Sequence, residues 1–171
     1  MSGEIVQLPV NQSRSPTVGV LTLADIDIDA ARALLAQHRL DLVLVEPQAA
    51  IPGSYWGEPE AGVIGHQILA RTDTPVHSLL HEACHLIVAP AEKRAHIHTD
   101  ASDSQAEEDA TCYLQILLAD ALAGVGRDRL MVDMDTWGYT FRLGSARAWF
   151  ESDAAETHAW LRVRALLPSN A

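Results

Sequence analysis

Two histidines four positions apart, His81 and His85 in the run His81-Glu82-Ala83-Cys84-His85, restrict this chain more than any other feature. On a helix that spacing stacks both imidazoles on one face, where their nitrogens can grip one divalent metal. Glu82 then sits close enough to take a proton from a water held by that metal. The flanking residues predict the helix. Thr74 can cap it, Pro75 suits its first turn, and Pro90 stops it. Projected at about 100° per residue, Val76, Leu79, Leu80, Ala83 and Ile87 fall on one stripe that must face a core. His81 and His85 project to nearly the opposite side, within about 40° of one another.

Residues 105–123 carry the next helical pattern, closed by Gly124-Val125-Gly126. Glu107 projects into the middle of a face made by Ala110, Thr111, Leu114, Leu118 and Ala121. A carboxylate aimed into a packed interface is costly unless something positive meets it. A zinc ion (Zn2+) held by His81 and His85 would be such a partner, so Glu107 is the expected third ligand. Glu108 is the alternative; it points about 100° away, toward Cys112 and Gln115. Two histidines and one carboxylate leave the fourth position of a tetrahedral zinc open, as catalytic sites do, whereas structural sites usually close all four. Cys84, at the edge of the core stripe, reads as a small buried hydrophobe, and Cys112 lies off the Glu107 face.

A chain of 171 residues is about one domain. The expected organisation is a polar N-terminal arm over residues 1–16 and one domain over 17–171. With 48% hydrophobic and 20% charged residues, a disordered chain is excluded. The net charge of −11 argues against a nucleic-acid or anionic-membrane partner, since either needs a basic surface. No apolar run approaches the roughly 20 residues of a membrane span. Met1-Ser2-Gly3-Glu4 does not open a basic-then-apolar leader, and two cysteines are too few for a disulfide framework. The expectation is a cytoplasmic protein with reduced thiols.

Residues 17–23 are β-branched and apolar, predicting a strand; Asp25 or Asp27 then caps a helix to about His38; residues 41–46 predict a second strand. Residues 47–59 read as a loop with Tyr55 and Trp56. Residues 63–71 read as a strand bent at Gly65. Residues 91–104 are a polar connection in which His96 and His98 read as solvated. Residues 135–143 predict a strand with Trp137, Tyr139 and Phe141 on one face, and 145–167 are mostly helical. The pattern is α+β: a mixed sheet with an active-site helix and a following helix that brings the third ligand.

A His-Glu-x-x-His run inside an amphipathic helix, followed by a helix-borne glutamate, resembles the gluzincin branch of the zincin metallopeptidases. The run Glu107-Glu108-Asp109-Ala110-Thr111-Cys112-Tyr113-Leu114 is similar to the ExEAxxFA pattern of small ImmA/IrrE-like peptidases, with Tyr113 and Leu114 in place of Phe-Ala. The resemblance covers roughly residues 63–120. It implies a zincin-like fold, zinc held by His81, His85 and Glu107, Glu82 as general base, and a peptide or protein substrate. It also implies that the strand at 63–71 lies along an extended peptide. Such enzymes need a further group to stabilise an oxyanion; Tyr139, His158, His77 and Tyr113 are the candidates. The rival is a non-catalytic zinc-binding module of the same fold that meets a protein partner.

Overall fold

The computed structural model describes residues 19–99, 104–169 and 171. The arm expected at 1–16 lies outside the described residues, as do Thr17 and Val18. The segment from Gly19 to Asp25 does not form the expected strand. Thr22 makes one antiparallel bridge to Pro75, and Leu23–Asp25 is a 3-10 turn. The Asp25 carboxylate accepts the Thr22 N–H at 2.8 Å, closing a turn that a strand would have to open. Helix α1 (Ile28–Gln37) comes next, with the Asp27 carboxylate accepting the N–H groups of Asp29 and Ala30 and with Ala31, Leu34 and Leu35 buried.

Strands β1 (Asp41–Leu44), β2 (Gly62–Ile64) and β3 (Gln67–Ala70) form a mixed sheet in the order β1-β3-β2. β1 runs parallel to β3, and β2 antiparallel to it. The expected bent strand is therefore a hairpin, turning at Gly65 with a φ of 60° that glycine adopts without strain. The outer edge of β2 is already engaged. Val63 donates to the Gly53 carbonyl at 3.2 Å, and the Val63 carbonyl accepts from Thr99 at 3.1 Å. Gly65 donates to Ile97 at 2.8 Å. A Cβ on Gly53 would stand 2.5 Å from the Val63 carbonyl oxygen, so only glycine lets the two backbones approach this closely. An extended peptide laid along this edge would have to displace these bonds, a correction to the expectation for 63–71.

Helix α2 (Val76–Val88) starts at Pro75. Thr74 does not cap it; its hydroxyl instead accepts the Arg71 N–H at 2.9 Å, in the turn before. The helix stops where Ala89 turns extended ahead of Pro90. All residues of α2 are buried, because it runs through the centre with β3 and the later helices Gln105–Leu118 and Gly126–Trp137 packed against it. After the short helix α3 (Ala91–Arg94) comes α4 (Gln105–Leu118), capped by the Ser104 hydroxyl and extended by a 3-10 turn at Ala119–Ala121.

Helix α5 (Gly126–Trp137) takes the place of the first part of the strand expected at 135–143. Gly138, left-handed with a φ of 106°, ends it, and Tyr139 and Phe141 follow in non-helical chain. Trp137, Tyr139 and Phe141 are all buried, so their spacing reflects core packing rather than a strand. The helical stretch at 145–167 is two helices, α6 (Ala146–Ser152) and α7 (Ala155–Val163). Among the described residues, no helix is long and apolar enough to cross a membrane.

Candidate metal centre

α2 and α4 lie against one another, and their seam carries the chemistry. His81 and His85 are only 2% and 8% exposed. The sequence pattern put them opposite the core stripe, but α4 covers that side too. His81 Nε2 lies 3.1 Å from Glu108 Oε1, and His85 Nε2 lies 3.4 Å from Glu108 Oε2. The three ligand atoms lie within 4.8 Å of one another. Two atoms each ~2.0–2.1 Å from a tetrahedral zinc are about 3.3 Å apart, so each of these separations is close to the edge length of such a site. His81 Nε2 is buried with Glu108 Oε1 facing it, a position in which both atoms could share one cation. His81, His85 and Glu108 can therefore hold a metal ion.

The far sides of the rings are also contacted. His81 Nδ1 lies 2.6 Å from the Gln115 side-chain carbonyl, and His85 Nδ1 lies 3.5 Å from the Thr111 hydroxyl. Thr111 donates that hydroxyl to the Glu107 backbone carbonyl at 2.8 Å, which leaves its oxygen lone pairs toward His85. Metal-bound histidines commonly have their second nitrogen fixed in this way.

Electrostatics separate the two imidazoles. Burial disfavours a cation on His81, yet Tyr139 and Glu108 outweigh it and hold its pKa well above the ordinary value. Burial keeps the Tyr139 phenol protonated. Burial, and then the neighbouring His81, push His85 down to about 3. Of the two imidazoles, His81 is therefore the one that favours the added proton. Burial pushes the Cys112 thiol up to about 11 against a hydrogen bond from His81, and burial also raises Cys84. Both cysteines are free and buried, and Cys112 sits closer to His81 than its sequence position suggested.

The third acidic position is Glu108, in place of Glu107. Glu107 is half-buried, one residue before the polar stripe of α4 that meets α2, and stands outside the cluster. Glu82 is 7% exposed, in the same turn of α2 as His81. Of the oxyanion candidates, Tyr139 and His77 sit at the site: their hydroxyl and Nδ1 are 3.1 Å apart, and the Tyr139 ring is 5.8 Å from that of His81. Tyr113 instead stacks on Phe150 and meets His158 at 5.9 Å, so that pair belongs to the packing of α4 on α6 and α7. His96 and His98 are exposed, as expected.

Sequence reasoning passed over Thr111 and Gln115. The available signal was a second stripe on α4, Glu108-Thr111-Cys112-Gln115, at the spacing of one helical face and polar but for Cys112. Comparison with family models, with curated proteins and with solved structures found no match.

Proposed function

We propose that this chain is a zinc-dependent metallopeptidase in which His81, His85 and Glu108 hold the metal and Glu82 is the general base. The observation that most supports the reading is the convergence of two imidazole Nε2 atoms and both Glu108 oxygens at separations of 3.1 and 3.4 Å. Zinc bound by two histidines and one carboxylate supplies a Lewis acid that makes water nucleophilic near neutral pH. Glu82 accepts the proton of the attacking water on its carboxylate and hands it to the departing amine. On this reading Tyr139, beside His81 with its phenol kept protonated, would donate to the carbonyl oxygen as negative charge develops there, giving up its contact with His77 Nδ1. Glu108, with its side chain 15% exposed, is the ligand most open to solvent.

Glu82→Gln tests the reading, because it keeps the shape and removes the base. Zinc content should stay at one per chain while peptide hydrolysis falls by at least about 100-fold. Cleavage at the parent rate would remove Glu82 from the mechanism. The near-complete burial of His81 and Glu82 favours a second reading, a metal-holding module without catalysis. Full zinc occupancy with no cleavage across a peptide library would select it.

A further inference from the structure

Gln115 is fully buried and lies two turns along α4 from Glu108, on the same face. Its two ends meet different partners on α2. The amide nitrogen donates to the His77 backbone carbonyl at 3.2 Å, and the amide oxygen faces His81 Nδ1 at 2.6 Å. These roles cannot be exchanged. A carbonyl only accepts, so the NH2 end must face His77; the other end then only accepts, so His81 Nδ1 must carry a hydrogen. In a neutral imidazole the remaining lone pair is then on Nε2, the atom that faces Glu108. The backbone of α2, one turn before His81, thus selects through Gln115 which nitrogen of His81 is free to bind.

We propose that Gln115 is a positioning residue for the metal: it fixes the Nδ1–H tautomer and the ring orientation of His81, so that Nε2 is presented as a ligand. The proposal rests on the reading of His81, His85 and Glu108 as a metal centre. A second carboxylate could also accept the Nδ1 hydrogen, but it would place another buried charge beside Glu108 and face the His77 carbonyl with an acceptor. A neutral amide satisfies both neighbours.

The test compares the parent with Gln115→Leu and Gln115→Glu in the intact chain, reading zinc affinity by competition with a chelating dye and the His81 ring protons by nitrogen-15 NMR. The parent should bind one zinc and show a slowly exchanging His81 Nδ1–H. Gln115→Leu should weaken zinc by about 10- to 100-fold and lose that slow exchange. Gln115→Glu keeps the acceptor for Nδ1–H but loses the donor to His77, so it should restore the resonance and bind zinc more tightly than Gln115→Leu does. If the parent binds no zinc, the metal centre and this proposal both fall. If the parent binds zinc but Gln115→Leu binds it equally well, Gln115 has no positioning role and the metal centre stands. Should Gln115→Leu not fold, the parent spectrum decides: a zinc-loaded His81 without a proton on Nδ1 overturns the proposal.

Discussion

The two faces of α4 that begin with neighbouring glutamates have opposite characters. The face starting at Glu107 is mostly apolar, with Ala110, Leu114 and Leu118, and it is the one that looks like a docking surface in the sequence. The face starting at Glu108 continues through Thr111, Cys112 and Gln115, and it is the one that meets the imidazoles of α2. From Ala110 to Leu118 every residue of α4 is buried, because α2, α5 and α7 surround it. A helix covered on several sides has no single inward direction. On such a helix the polar stripe, not the apolar one, shows where ligand chemistry sits, because buried polar groups persist only where something satisfies them.

The largest effect should come from exchanging the two acids. Glu108→Ala removes one of the three proposed ligands and should lower zinc affinity by more than about 100-fold, beyond what loss of a supporting residue alone costs. Glu107→Ala should leave affinity within about twofold, as expected for a side chain outside the coordination shell. Equal losses in a zinc-competition titration would erase the distinction between the faces. On the apolar side, Leu114 is 1% exposed, and Leu114→Ala should cost about 2–5 kcal/mol of stability. Zinc stoichiometry should persist in the fraction that remains folded. Urea unfolding with and without zinc separates these effects.

A smaller, continuous effect should come with pH. The metal-free chain holds a proton on His81, whose pKa is raised, whereas His85, pushed down to about 3, is already neutral. Binding must expel the His81 proton, so affinity should rise with pH by roughly tenfold per unit near neutrality, until His81 deprotonates unaided. Calorimetry in buffers of differing ionisation heat should count about one proton released per zinc. A count of zero would mean that His81 is already neutral, or is not a ligand.

Much of the fold was legible locally. Asp27 caps α1, α4 begins at Gln105 and Pro90 follows the end of α2, each a short-range signal that tertiary packing did not overrule. The two misread strands show what that kind of signal lacks. Residues near 17–23 have strand-forming side chains, but the Asp25 carboxylate closes a turn on Thr22. Residues near 135–143 alternate aromatic and polar, yet Gly138 marks a helix end, and the alternation continues into a buried non-helical segment. The metal-site histidines were visible because both lie on one helix at fixed spacing. The acid was not fixed in the same way: its choice depends on how α4 rotates against α2, a long-range quantity that separates Glu107 from Glu108 by about 100° of helix.

The central claim is that one cation bridges α2 and α4 through His81, His85 and Glu108. A crystal structure of the zinc-loaded chain, with anomalous data on both sides of the zinc edge, tests it most directly. The predicted result is a single strong peak about 2.0–2.2 Å from His81 Nε2, His85 Nε2 and a Glu108 oxygen. A peak coordinated by Glu107, or none between the two helices after saturation with zinc, would contradict it.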